Sequence, residues 1–216
     1  MDLETARLTL EPYNDSHYEG LRRMDSDTRV MRYINQGIAK TPEETWEGIR
    51  RVQARWEQYG YSWWVIKEKA FGEIVGAACL QHLANVDGAP LEIGWRLVPE
   101  HHGKGYATEA AKAIIAFAVE RTGTTYLVAV ADPDNIPSHR VMQRLGMTYK
   151  AIEQHYDVPC VVYELTLQRS ERVINHSGEG NILSLLFIAD KVAPSTGMCV
   201  PDADAIAGTS TQAVNL

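Results

Sequence analysis

The sequence predicts an α/β (α+β) fold, with one mixed sheet of about seven strands flanked by helices. Three observations carry this. Seven short segments are rich in β-branched, aromatic and alternating apolar residues. Two helix-like stretches separate the first of these segments from the second. Later in the chain, strands and helical periodicity alternate, giving the order β-α-α-β-β-β-α-β-α-β-β.

Residues 5–12 (ARLTLEPY) alternate apolar and polar side chains and read as a strand. Asn14 or Asp15 is placed to cap the segment that follows, a helix to about Met24. Thr41-Pro42-Glu43-Glu44 opens the next helix, with a capping hydroxyl, a proline in the first turn and acids near the positive end of the dipole. That helix is expected to reach about Tyr59, with Trp46, Ile49, Val52 and Trp56 on one side. Residues 62–68 (SWWVIKE) and 73–82 (EIVGAACLQH) read as a hairpin turning around Lys69–Gly72, and residues 89–98 (APLEIGWRLV) as a further strand. From Gly103 the period changes: Ala107, Ala111, Ile114 and Ala118 recur at helical spacing to about Arg121. Tyr126–Ala131 is a buried strand, Pro137–Leu145 a short helix ended by Gly146, and residues 147–154 and 158–168 are the last two strands. After about Ser170 aromatic residues thin out, and Ser, Thr, Gly, Ala and Asn become frequent. The expected organisation is one domain over 1–170 and a partly disordered C-terminal extension over 171–216, with one short apolar element at 182–189.

The net charge is -7, of which Arg172, Lys191 and five acids place -3 beyond residue 170. No basic stripe points to a nucleic-acid partner. The mildly acidic balance suits a cationic substrate such as an amine. Cys79, Cys160 and Cys199 are too scattered for a metal site or a disulfide framework, so neither is expected. Cys79 and Cys160 lie in apolar runs and read as buried thiols of a reducing compartment. The N-terminus lacks the basic and apolar stretches of a signal peptide, and no run is long enough to span a bilayer. The expectation is a cytoplasmic protein with no membrane partner, a monomer or a homodimer.

The segment PEHHGKGYATEA, residues 99–110, joins a strand to an alanine-rich helix. It has the makings of an anion site. Gly103 and Gly105 let a ligand approach the backbone, and the amides of residues 103–108 lie at the unsatisfied, positive end of the helix. Lys104 adds a charge and Thr108 a hydroxyl. A glycine-rich turn that merely starts a helix is the plainer alternative. A dinucleotide fingerprint fits poorly: its third small position is Thr108, it occurs late in the chain, and no suitable acid follows about twenty residues on.

A second segment, DPDNIPSHRVMQRLGM at 132–147, follows the strand 126–131. Asn135 is placed to cap the short helix, with Pro137 and Ser138 in its first turn. If the two preceding strands are parallel, Asn135 faces the same edge of the sheet as the glycine-rich loop.

Together the two segments resemble the GNAT superfamily of N-acetyltransferases, in particular its ribosomal-protein-alanine acetyltransferase-like branch. Similar members carry P-E-x-x-G-K-G-Y-A-T-E-A and then N-x-x-S-x-x-V-x-x-x-L-G-F/M. Here these are Pro99-Glu100, Gly103 to Ala110, Asn135, Ser138, Val141 and Leu145-Gly146-Met147. The resemblance extends over residues 3 to about 169. It implies a mostly antiparallel sheet with a V-shaped split between the central strands, and an enzyme that transfers an acetyl group from acetyl-CoA, its co-substrate, to a primary amine. The amine could belong to a small molecule or a protein N-terminus. It further implies that His102, Gly103, Lys104, Gly105, Tyr106, Ala107 and Thr108 hold the pyrophosphate. Backbone groups of Leu97 and Val98 would meet the pantetheine arm, and Asn135 and Ser138 its far part.

The chain departs from the superfamily pattern in places. Glu100 stands where glutamine or arginine is preferred, so no arginine is expected at that end, and His102 replaces an aromatic residue. The frequent general-acid tyrosine falls at Met142. Ser138 is therefore the hydroxyl expected to protonate the leaving thiolate, and Glu92 the expected base. The alternatives are a structural carboxylate at Glu92 and a non-catalytic acyl-CoA-binding module on the same fold. His82 is a second base candidate, and His101 an exposed loop residue. Among the aromatic residues, Trp56, Tyr59, Tyr61, Trp63 and Trp64 are candidates for core packing or for the acceptor pocket, and Tyr33, Asn35 and Trp95 for its wall.

Overall fold

The computed structural model describes residues 1–167. The expected extension over 171–216 and Cys199 lie outside the described residues. The chain forms one eight-stranded sheet with spatial order β1-β2-β3-β4-β5-β6-β8-β7. Its strands are β1 (Leu3–Glu4), β2 (Leu8–Pro12), β3 (Trp63–Glu68), β4 (Ile74–His82), β5 (Leu91–Leu97), β6 (Tyr126–Ala131), β7 (Thr148–His155) and β8 (Val158–Thr166). The helices are α1 (Tyr18–Ser26), α2 (Thr28–Met31), α3 (Pro42–Tyr59), α4 (Tyr106–Thr122) and α5 (Ile136–Arg144). The mixed sheet and every strand and helix expected before residue 168 are present, and the short apolar element expected at 182–189 lies outside the described residues. Two elements are additional. The two-residue β1 is too short to show alternation, and the single turn α2 is set by Asp27, whose carboxylate accepts from the Arg29 amide at 2.8 Å.

Local chemistry explains the helix ends. Thr41 and Glu44 form a reciprocal capping box: the Glu44 amide donates to Thr41 Oγ1 at 3.2 Å, and the Thr41 amide to the Glu44 carboxylate at 2.7 Å. Asn14 caps a short 3₁₀ turn over Asp15–His17, which delays the start of α1 to Tyr18.

The central strands β3 and β4 are buried on both faces, which explains apolar runs such as Trp63–Ile66. Trp64 and Ile66 of β3 pack with Ile114 and Phe117 of α4 and Met142 of α5, whereas Val65 packs with Leu21 of α1 and Ile49 of α3. Parity along β5 divides its side chains in the same way. Ile93 enters the α4 side of the core, and Glu92 and Arg96 face the α1–α3 side.

One strand pair positions the site. All neighbours are antiparallel except β5 and β6, which are parallel and joined only at Leu91–Leu127 and Glu92–Val128. Beyond Glu92 the two strands part, and the split faces the loops that follow each of them.

Candidate active site

A cleft of about 580 Å³ opens between the α1–α3 region, β4 and β5, the end of β6 and the β7–β8 hairpin. That volume lies within the usual range for a small-ligand site. Tyr33, Asn35 and Trp95, the expected wall residues, all line it, and of the aromatic cluster so does Trp63. Trp64 is fully buried in the core, edge-on to Trp56 and Phe117. Tyr59, Tyr61 and His82 pack on one another beside the small pocket they share with Asp87. His82 Nδ1 donates to the Ala89 carbonyl at 2.9 Å, and its Nε2 lies 3.3 Å from the Tyr61 hydroxyl. These bonds, away from the cleft, make His82 a residue of the β4–β5 connection.

Glu92 lies at the root of the split and lines the cleft, with only 6% of its surface exposed. The Tyr156 hydroxyl donates to its Oε2, and Gln81 Nε2 lies 3.5 Å from the same oxygen. Gly94 keeps the strand clear beside the carboxylate. A Cβ there would sit 3.1 Å from Cys79 Sγ and 4.0 Å from Glu92 Oε1. Burial raises the Glu92 pKa to about 7, although the hydrogen bonds from Tyr156 and Gln81 pull the other way. Tyr156 itself is raised above the ordinary phenol range, first by burial and then by the charge of Glu92.

Tyr156 was not anticipated from the sequence. It occupies the two-residue turn between β7 and β8 with Asp157, both at positive φ (54° and 63°). That pairing of angles closes a tight hairpin, and a tyrosine held there points to an imposed position.

At the other end of β5, the glycine-rich loop has the geometry of an anion cradle. Gly103 and Gly105 adopt φ of 75° and 81°, and α4 begins at Tyr106. The first helical amide to donate is that of Glu109, to the Gly105 carbonyl; among the described residues the amides of 103–108 have no acceptor. Exposed Lys104 stands beside them, its Nζ 3.3 Å from His101 Nδ1. This donor set fits a pyrophosphate. Ala107 is buried, as is Tyr106, whose hydroxyl donates to Glu68, so both present backbone rather than side chain. Glu109 anchors the helix start to the β1–β2 turn through Arg7 and Thr5.

Two expectations for this region are altered by the structure. The Val98 amide donates to the Val75 carbonyl at 2.9 Å, and His102 Nε2 donates to the Leu97 carbonyl at 3.2 Å. The unpaired edge of β5 therefore lies earlier, over residues 93–96. An arginine also reaches the Glu100 end of the loop: Arg29 of α2 bonds Glu100 at 2.9 Å.

Asn135 and Ser138 lie at the matching end of β6. Asn135 caps α5, accepting from the Ser138 amide at 3.3 Å. Because β5 and β6 are parallel, this cap and the glycine loop share one edge of the sheet. The half-buried Ser138 hydroxyl has no partner among the described residues. Met142, at the position of the frequent general-acid tyrosine, is buried in the core.

A second buried polar group stiffens the cleft wall. Asp25 of α1 pairs with Arg96 of β5 and Lys40, and accepts from Thr45 of α3. Burial alone would raise the Asp25 pKa, but its two cations hold it below the ordinary value. No helix among the described residues is long and apolar enough to cross a membrane.

A family model described as an acetyltransferase (GNAT) domain matches residues 7–148. The chain is 29% identical over 159 residues to the uncharacterized N-acetyltransferase YnaD of Bacillus subtilis (strain 168), across 68% of this chain and 82% of that one. It is 29% identical over 169 residues to the FsC-acetyl coenzyme A-N(2)-transacetylase of Aspergillus fumigatus, across 73% and 69%. The crystal structure of the acetyltransferase from Agrobacterium tumefaciens str. C58 superposes with a TM-score of 0.66 at 28% identity, covering 76% of this chain and 93% of that chain.

Proposed function

Because this chain belongs to the acetyltransferase (GNAT) family, and so is an acyltransferase acting with acetyl-CoA, we propose that it acetylates a primary amine by direct attack on the thioester. The amine is that of a small molecule or of a protein N-terminus.

The observation that carries this reading is Glu92. A carboxyl group poised near neutrality at the root of the split suits a base that must accept a proton there. The amides of residues 103–108 and Lys104 are suited to the pyrophosphate, the free edge of β5 to the pantetheine arm, and Asn135 and Ser138 to its far part. In this reading Glu92, directly or through a water, takes the proton from the ammonium. The amine nitrogen then bonds to the acetyl carbon, the carbon–sulfur bond breaks, the Ser138 hydroxyl supplies the proton to the sulfur, and the second proton that the nitrogen sheds as the neutral amide forms restores the serine hydroxyl. Tyr156 and Gln81 position the carboxylate and favour its ionised form.

The test is thiol release with a panel of amines, run beside acetyl-CoA binding by calorimetry. Glu92→Gln and Ser138→Ala are each expected to lower turnover by about 10²–10⁴-fold, with acetyl-CoA affinity little changed. Full turnover of Glu92→Gln on a strongly basic amine across the pH range would place the base elsewhere.

A further inference from the structure

The cleft carries positive charge that the fold leaves unneutralised. Five cations line it: Arg32, Lys40, Arg51, Arg55 and Arg96. Lys40 and Arg96 are paired with Asp25. Arg32, Arg51 and Arg55 have no acidic partner and donate no side-chain hydrogen bond among the described residues. Arg51 and Arg55 stand one turn apart on α3, a spacing at which like charges repel. Glu47 lies one turn before Arg51, in the favourable orientation for an ion pair, yet makes none with it. Both arginines face the cleft instead.

The acids of the cleft do not offset them. Asp25 is held by its two cations, and Glu92 is only partly ionised near neutrality. That leaves Asp132 against three arginines. Burial, and then the charge of Arg51, lower the Arg55 pKa, and Arg55 also feels Tyr156, the donor to Glu92. The unneutralised charge therefore lies close to the proposed base. A simple cationic amine would be repelled there. A carboxylate or phosphate matches the planar guanidinium fork, and neighbouring cations lower an amine's pKa, easing loss of its proton.

Building on the acetyl transfer proposed above, we infer that the acceptor is an amine that carries an anionic group, a carboxylate or a phosphate, held by Arg51 and Arg55, with Arg32 lining the same cleft. This reverses what the overall acidic balance of the chain suggested.

The experiment compares matched pairs: β-alanine with β-alaninamide, and O-phosphoethanolamine with ethanolamine. The carboxamide also lowers the basicity of its amine, so intrinsic reactivity runs against the charged member of the first pair. The expected result is kcat/KM higher by at least about tenfold for the anionic member of at least one pair, with the two pairs distinguishing carboxylate from phosphate. Arg51→Gln and Arg55→Gln should collapse that ratio. A ratio below about tenfold in both pairs overturns the inference, and a ratio that survives both substitutions overturns the assignment to these arginines. Absence of turnover with every amine, while acetyl-CoA binds, would overturn the proposed reaction instead. Calorimetric titration of the CoA-loaded protein then decides the present point, and equal affinity for charged and neutral members rejects it.

Discussion

Glu92 has a consequence for stability that does not depend on catalysis. Its pKa is near 7 when folded and 4.5 in an unperturbed chain. Between those values the folded state keeps a proton that the unfolded state has lost, so stability falls as pH rises through that window. The loss amounts to at most about 3.4 kcal/mol. Glu92→Gln does not titrate, and its melting temperature relative to the parent should rise between about pH 4.5 and pH 7; parallel curves would mean an ordinary, solvated carboxylate. Tyr156→Phe removes a donor that favours the ionised form. It should move the acidic limb of the pH–rate profile upward by as much as about one unit, and an unmoved limb would detach Tyr156 from the base. The two residues differed in legibility. Glu92 could be read as an acid on the strand before the glycine loop. Tyr156 is 64 positions away and reaches Glu92 only through the β7–β8 register. The sequence signal for it was the short gap between the last two strands, and its Tyr-Asp turn lacks the usual Asn-Gly or Asp-Gly signature.

At the scale of elements, helix starts were the clearest features, because Thr41, Glu44, Asn14 and Asn135 cap by local bonds that need no tertiary context. The strands of the core were legible for a related reason, since burial on both faces leaves continuous apolar runs. Elements of two to four residues, β1 and α2, carry no period and were not. The arginines of the cleft wall illustrate another limit. A charge on an exposed helix is ordinary in sequence, and only the packing of α3 against the sheet shows that Arg51 and Arg55 share one opening. The glycine loop was legible in its chemistry, and the structure adds the backbone angles. At Gly105, with φ of 81°, valine introduces both a side chain at the anion cradle and a disfavoured backbone conformation. Gly105→Val is expected to weaken acetyl-CoA binding by at least about tenfold while the protein still unfolds cooperatively. Unchanged affinity by calorimetry would remove the pyrophosphate from this loop.

Over the whole molecule, the order of strands follows the chain closely: β1 through β5 are neighbours in sequence, and β6 to β8 form a second local group. The split between the groups was foreseen only through family resemblance, because no local pattern records where two parallel strands cease to pair. The mixed sheet, by contrast, followed from the alternation of strands with helical segments. The two-residue junction of β5 and β6 also orders events in time. The β2–β3 and β6–β8 pairings also close long loops, but each repays the closure with an extended ladder, whereas the junction gains only Leu91–Leu127 and Glu92–Val128 for the crossover through α4, so little favours its forming early. Val128, buried at that junction, should then behave as a latecomer. Val128→Ala is expected to accelerate unfolding and leave the refolding rate nearly unchanged, as stopped-flow kinetics would measure. A slowed refolding rate would instead make the junction part of the nucleus. With late closure, the cleft and its base come into existence last, after both walls are already built.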